Sequence, residues 1–110
     1  MKKMLCDYFF NLNYTIEQET SGSIRFVHND SKQVVILDLS FYHAANVPDL
    51  QVTGEELQIF IIDEKVVENW DMEVFEKLVI GLPANAAVIP YSNESMEHMM
   101  KDIWFFISKN

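Results

Sequence analysis

The sequence LQIFII at residues 57–62 contains five large apolar side chains and no charged residue. A second uninterrupted apolar run, VVIL, lies upstream at residues 34–37. Runs that do not alternate with polar residues are typical of strands covered on both faces. The sequence therefore predicts two strands, at residues 33–41 and 55–62, that lie beside each other in the middle of one sheet.

Weaker patterns on either side of these runs predict the remaining elements. Apolar residues at three- and four-residue spacing indicate helices, and alternating residues indicate half-buried strands. Asp71 is a predicted N-cap, Gly81 a predicted C-cap, and Ser92 the predicted N-cap of the last helix. The predicted helices cover residues 2–12, 71–81 and 93–107, and the flanking strands cover residues 14–20, 24–28 and 86–91.

The predicted order of elements is α-β-β-β-β-α-β-α, which gives an α+β fold. We expect an antiparallel meander of four or five strands, with an N-terminal helix and two C-terminal helices packed on it. In an alternative assignment the second helix starts earlier, after a cap at Asp63, and includes Val66, Val67 and Trp70. Residues 1–110 are expected to form a single domain, because domains commonly span about 100–150 residues.

Composition argues against several classes of partner. The chain carries a formal net charge of −9, and its eight basic residues are scattered along the sequence. Nucleic acids and anionic membranes are bound by clustered Lys and Arg, so we expect neither as a partner. The single cysteine, Cys6, excludes an internal disulfide and favours a reducing compartment. With no recognisable signal or membrane-spanning segment, the sequence predicts a cytoplasmic protein.

The negative charge is concentrated in one window. Between Asp49 and Glu76 there are nine acidic residues and a single base, Lys65, so this window holds net −8 of the total −9. Solvation of strand ends and capping of helices explain each acid locally, which leaves a simple solvated surface as an alternative. They do not explain the missing bases, because surfaces usually intersperse both signs of charge. Since these charges bracket the buried strand, we expect them to share one edge or end of the sheet.

Candidate catalytic groups are few. Glu94, His98 and Asp102 are spaced by four residues and could hold a proton shuttle or half a metal site on one helical face. The same spacing is expected of the ordinary polar face of an amphipathic helix. Cys6 lies in an apolar helix without a neighbouring His or Asn, as a small buried hydrophobe does. We therefore expect no enzymatic activity, no bound metal and no cofactor.

The last helix combines a methionine-rich stripe with additional aromatic residues. Methionines at this spacing usually fill a core, although they can also form an adaptable binding surface. Phe105 and Phe106 fall outside the stripe, which is more apolar surface than one sheet face needs to cover. Either both sides of the helix are packed, or part of it forms a homodimer contact. The candidate residues for such a contact are Met96, Met99, Met100, Trp104, Phe105 and Phe106.

A small, acidic, cysteine-poor α+β domain without an active site is similar in general type to the immunity proteins that shield cells from toxins such as nucleases. That resemblance implies a non-enzymatic inhibitor that neutralises a basic protein partner, because a nuclease carries a basic cleft for phosphate. An acidic inhibitor would be steered to such a cleft rapidly. The expected contacts are Asp49, Glu55, Glu56, Asp63, Glu64 and Glu68, with Tyr42 or Trp70 as aromatic anchors.

Two other functions remain as alternatives. The chain is also similar to small acidic dimeric chaperones of the secretion type, which would use the Met-rich last helix to dimerise. The predicted order lacks a long helix between the third and fourth strands, which weakens that comparison. The third possibility is a small enzyme that uses Glu94, His98 and Asp102, or His43 in a pocket formed by residues 43–53.

Overall fold

A computed structural model describes residues 1–42, 50, 52 and 54–110 of the chain. Within these residues it contains a five-stranded sheet and four helices, so the predicted α+β class is confirmed. In chain order the elements are α1 (Lys2–Asn11), β1 (Tyr14–Glu19), β2 (Ser23–His28), β3 (Val34–Asp38), β4 (Leu57–Asp63), α2 (Glu64–Glu68), α3 (Met72–Ile80), β5 (Ala86–Tyr91) and α4 (Met96–Lys109).

The sheet is mixed, and the prediction of a purely antiparallel meander is wrong. The strands lie in sequential order, β1-β2-β3-β4-β5. β1 pairs with β2, and β2 with β3, in antiparallel orientation. β4 lies parallel to β3, with Leu37 opposite Ile59, and β5 lies parallel to β4, with Ile89 opposite Ile61. Parallel neighbours require a crossover of a dozen residues or more, and residues 39–56 and 64–85 are long enough to provide one.

The two apolar runs lie side by side in the middle of the sheet, as predicted. On one sheet face, Ile59 and Ile61 of β4 join Val35 and Leu37 of β3 in the main core. Helices α1 and α4 cover this face, with Phe9 of α1 stacked on the ring of β2 residue Phe26 at 4.4 Å between centroids. The helices are amphipathic because they must cover this apolar face.

The second face of β4 is also buried. Phe60 and Ile62, which point away from the main core, are 1% and 0% exposed. The ring of Phe41 contacts Phe60 at 5.6 Å between centroids. Gln58 shares this face, and its Oε1 atom is buried without a hydrogen-bond partner. Strand β4 is therefore covered on both faces, which its continuous apolar sequence requires.

The segment after β4 forms two helices where the predicted order had one. Asp63 caps α2 through its Oδ1 atom, which accepts a hydrogen bond from the Lys65 amide at 2.9 Å. Asp71 caps α3 in the same way, accepting from the Glu73 amide at 3.0 Å. Both proposed caps are therefore present. Trp70 packs against Phe75 at 6.2 Å between ring centroids, as a hydrophobic staple does.

Helix α4 begins later than predicted. Ser95 occupies its N-cap position, and Ser92 instead closes a preceding turn, because its Oγ accepts a hydrogen bond from the Ser95 amide at 3.1 Å. Glu94 consequently lies before the helix and not in its first turn.

Candidate partner-binding surface

A polar cleft of about 300 Å³ opens where the parallel strands β4 and β5 end. Strand β4 ends at Asp63 and continues directly into α2, while β5 ends at Tyr91 and continues into the turn before α4. This junction brings residues distant in sequence to one place because neighbouring parallel strands end on the same side of a sheet. The cleft is lined by Tyr42, Asp63, Glu64, Lys65, Glu68, Ser92, Asn93 and Glu94.

Hydrogen bonds hold several parts of this cleft in place. The Ser95 hydroxyl donates to Oε2 of Glu64 at 3.2 Å, which ties α2 to the start of α4. The Asp63 amide donates to the Tyr42 carbonyl at 3.0 Å. The Tyr42 ring lies 5.4 Å from the ring of Tyr91, which is itself buried. The pKa of Tyr42 is raised by burial and, secondarily, by the nearby Asp63 carboxylate.

The cleft is strongly acidic. It is lined by four carboxylates, those of Asp63, Glu64, Glu68 and Glu94, against one base, Lys65. Across the described part of the chain, the ion pairs involve none of these four carboxylates. Among the residues that line the cleft, Lys65 offsets only part of the repulsion between the four carboxylates, and a further basic group placed here would relieve more of it.

Glu55 and Glu56 lie away from this cleft, so the expectation that the acidic window occupies one end of the sheet is wrong. They precede β4, whereas Asp63 and Glu64 follow it, and a strand of seven residues separates its ends by about 20 Å. The physical reason is that charges bracketing an extended strand in sequence are separated by the whole strand in space.

Glu56 is also neutralised within the chain. Its carboxylate accepts two hydrogen bonds from Arg25 of β2, one from Nη1 at 2.7 Å and one from Nη2. Arg25 bonds Glu17 of β1 as well, at 3.3 Å from Nε. The hydrogen bond to Glu56 raises the pKa of Arg25, and the same contact lowers the pKa of the Glu56 carboxyl. Glu56 is therefore a structural bridge between strands, while Glu55 stays exposed.

The remaining expected contacts are divided. Tyr42 lies at the cleft, as described above, whereas Trp70 is half-buried against Phe75 and does not line it. The indole Nε1 of Trp70 is buried without a hydrogen-bond partner. Asp49 falls outside the described residues, as do His43 and most of the loop of residues 43–53.

The candidate catalytic residues do not converge. Glu94 lines the acidic cleft, but His98 and Asp102 are exposed on α4 and line none of the described cavities. Burial, with a contribution from Glu19, raises the pKa of the Cys6 thiol, which opposes formation of a reactive thiolate. Over the described residues, no group of three or more His, Cys, Asp or Glu side chains is arranged to hold a metal ion.

The six residues expected at a homodimer contact separate into core and surface. Met99 and Phe106 are buried in the main core, and Met96 packs against it. The prediction that Phe106 falls outside the apolar stripe is wrong, because Phe106 lies seven residues after Met99 and three after Ile103, on the same helix face. Trp104 and Phe105 are 52% and 70% exposed, so they remain available to a partner, and Met100 is half-buried.

Helix α3 presents an apolar surface that the sequence reasoning missed. None of its nine residues is buried, and Met72 and Ile80 are 66% and 82% exposed. Val74 and Val79 are exposed as well. The available signal was the placement of apolar residues on several sides of a short helix, which a single packing face cannot cover.

Comparison of the chain with known protein families, with curated proteins and with solved structures finds no match. Over the described residues, no helix is long and apolar enough to cross a membrane.

Proposed function

We propose that this chain is a non-enzymatic protein-binding domain whose acidic cleft receives a basic protein partner. The observation that carries the proposal is the set of four carboxylates, those of Asp63, Glu64, Glu68 and Glu94, gathered around one concave site with only Lys65 to offset them. A lysine or arginine side chain of a partner fits this site because it would supply the missing positive charge.

An exposed apolar helix follows the cleft residues in the sequence, and this supports the proposal that the partner is a protein. Helix α3 starts four residues after the cleft residue Glu68 and exposes Met72 and Ile80. Protein interfaces commonly combine apolar contacts at the centre with a charged rim. The cleft would accelerate and orient association, and α3 would contribute the desolvated contact that slows dissociation.

More specifically, we propose that the chain is an inhibitor of the immunity type and that it covers a basic cleft on a toxin. The net charge of −9 supports this form, because a strongly acidic inhibitor competes with phosphate groups for a basic surface. Association should then be fast at low ionic strength and slow markedly as salt screens the charges.

The test uses the purified chain as bait in an extract of its source cells, first at low and then at high salt. Proteins eluted by salt are identified, and the affinity of the purified candidate is measured by titration. We compare the wild-type chain with a cleft variant carrying Glu64→Lys, Glu68→Lys and Glu94→Lys. Loss of binding by at least about a hundredfold is expected, because three attractive contacts become repulsive.

A matched control changes the net charge equally at exposed acids outside the cleft and outside α3, with Asp7→Lys, Glu55→Lys and Glu97→Lys. This control should retain most of the affinity, apart from a small loss of long-range attraction. If the two triple variants lose affinity for the partner equally, net charge alone explains binding and the cleft has no specific role. If neither variant loses affinity, the electrostatic proposal is wrong.

A further inference from the structure

Helix α4 carries a second stripe of residues that the fold leaves exposed. His98, Asp102, Phe105 and Lys109 follow each other at spacings of four, three and four, so they lie along one side of the helix. All four are exposed, and Phe105 is 70% exposed. We call these four residues the outer stripe. It is distinct from the buried stripe that contains Met99 and Ile103.

The charges of the outer stripe have few partners inside the chain. In the part of the chain that the structure describes, neither Asp102 nor Lys109 takes part in an ion pair. The Lys109 ammonium lies 5.7 Å from the ring centroid of Phe106, at the end of the stripe. On one side of Phe105, Asp102 lies three residues before it and Lys109 four residues after it. The exposed base Lys101, four residues before Phe105, lies on the other side of that ring.

This arrangement is complementary to itself when two copies of the helix pair antiparallel. When two copies of α4 lie antiparallel with their Phe105 residues together, Asp102 of each copy faces Lys109 of the other. A twofold axis through such a contact makes the same surface serve both copies, as in most homodimers.

From this pattern we propose that the outer stripe is a homodimer contact, in which two α4 helices pair antiparallel about Phe105 and form two Asp102–Lys109 ion pairs. The contact is small. Helix α4 has 14 residues and is about 21 Å long. A contact made by one such helix from each copy buries less surface than a standard protein interface, which buries at least about 1,200 Å². An interface of this size is typical of weak, transient contacts, so the dimer forms only at high protein concentration.

The proposal is tested by sedimentation of the full chain at concentrations up to about 1 mM, in low salt. The weight-average mass should rise reversibly above the 12.9 kDa of the monomer. Phe105→Ser should keep the chain monomeric over the same range. The control Ile80→Ser removes another exposed apolar side chain, on α3, and should leave the dimer unchanged.

Charge exchange tests the orientation. Asp102→Lys alone and Lys109→Asp alone should each weaken dimerisation by at least about tenfold, because each places like charges opposite one another twice per dimer. The double exchange should restore most of the wild-type association. Glu97→Lys, an equal charge change on α4 outside the outer stripe, should have little effect beyond net charge.

Three outcomes would overturn the proposal: a monomer at every concentration, a dimer that survives Phe105→Ser, or a double exchange as weak as the single variants. None of the residues changed in the outer stripe lines the acidic cleft, so these results do not decide whether the chain binds a basic partner.

Discussion

Replacing Ile62 by alanine tests whether the second face of β4 is a true core. Ile62 is 0% exposed, yet it lies on the face opposite α1 and α4. The substitution removes three carbons, worth about 0.8 kcal/mol each in transfer, and leaves a cavity. The expected loss is about 3 kcal/mol, within the range of about 2–5 kcal/mol for such changes. This loss is a large part of the total free energy of unfolding, which is about 5–15 kcal/mol for a typical native protein.

Urea and thermal unfolding, followed by circular dichroism, measure this loss. For a domain of about 110 residues, 3 kcal/mol corresponds to a decrease of about 12 °C in Tm. Ile61→Ala, on the main-core face, should cost a similar amount, whereas Ile80→Ala, at an exposed site, should stay within about 0.5 kcal/mol. If Ile62→Ala costs less than about 1 kcal/mol while Ile61→Ala costs the full amount, the second face is not a packed core and our reasoning about β4 fails.

Three further changes test individual interactions. Gln58→Leu should raise the free energy of unfolding by about 1 kcal/mol, because it removes a buried oxygen that has no hydrogen-bond partner; a clear loss in urea unfolding would show that the amide is satisfied in solution. Asp71→Ala should cost about 1 kcal/mol through loss of the α3 cap, with Asp71→Asn as a control that keeps most of it. Glu56→Gln should destabilise the protein at pH 7, because Arg25 lowers the pKa of the folded carboxyl. The wild type has this additional stability above the ordinary pKa of a glutamate carboxyl and loses it as the pH falls through the lowered pKa of Glu56 in the folded state. The unfolding curves of the two proteins should therefore converge in acid. A stability difference that does not depend on pH would contradict this.

The two central strands of the sheet could be predicted from the sequence. The sequence also contains the information needed to predict that β3 and β4 are parallel. Continuous apolar runs at residues 34–37 and 57–62 correctly placed two strands in the middle of the sheet. The same continuity is typical of parallel strands, and the 18 residues between Asp38 and Leu57 are too many for a tight hairpin. The predicted β4 is antiparallel because the prediction extends the meander of β1 to β3. The alternation of residues within a strand carries no information about the direction of the next strand.

The candidate surfaces were harder to predict because they depend on the ends of strands. Glu64 and Glu94 are 30 positions apart in the sequence, and they meet only because β4 and β5 are parallel neighbours. Conversely, Glu55 and Glu64 are close in sequence but separated by the length of β4. The ion pair that removes Glu56 from the available charge depends on Arg25, two strands away, which no local pattern indicates.

Helix α4 follows all five strands in the sequence, and this order has a consequence for synthesis on the ribosome. The hairpins of β1 to β3 join neighbours in sequence and can form early, since local contacts form quickly. The core that contains Ile59 and Ile61 is complete only when α4 has added Met99, Ile103, Phe106 and Ile107. Translation of the roughly 40 residues from Asp63 to Ile103 takes about 2–8 s at about 5–20 residues per second. Until then the core lacks the side chains of α4, and a chain released before α4 is made would keep part of this core exposed and would be prone to aggregate.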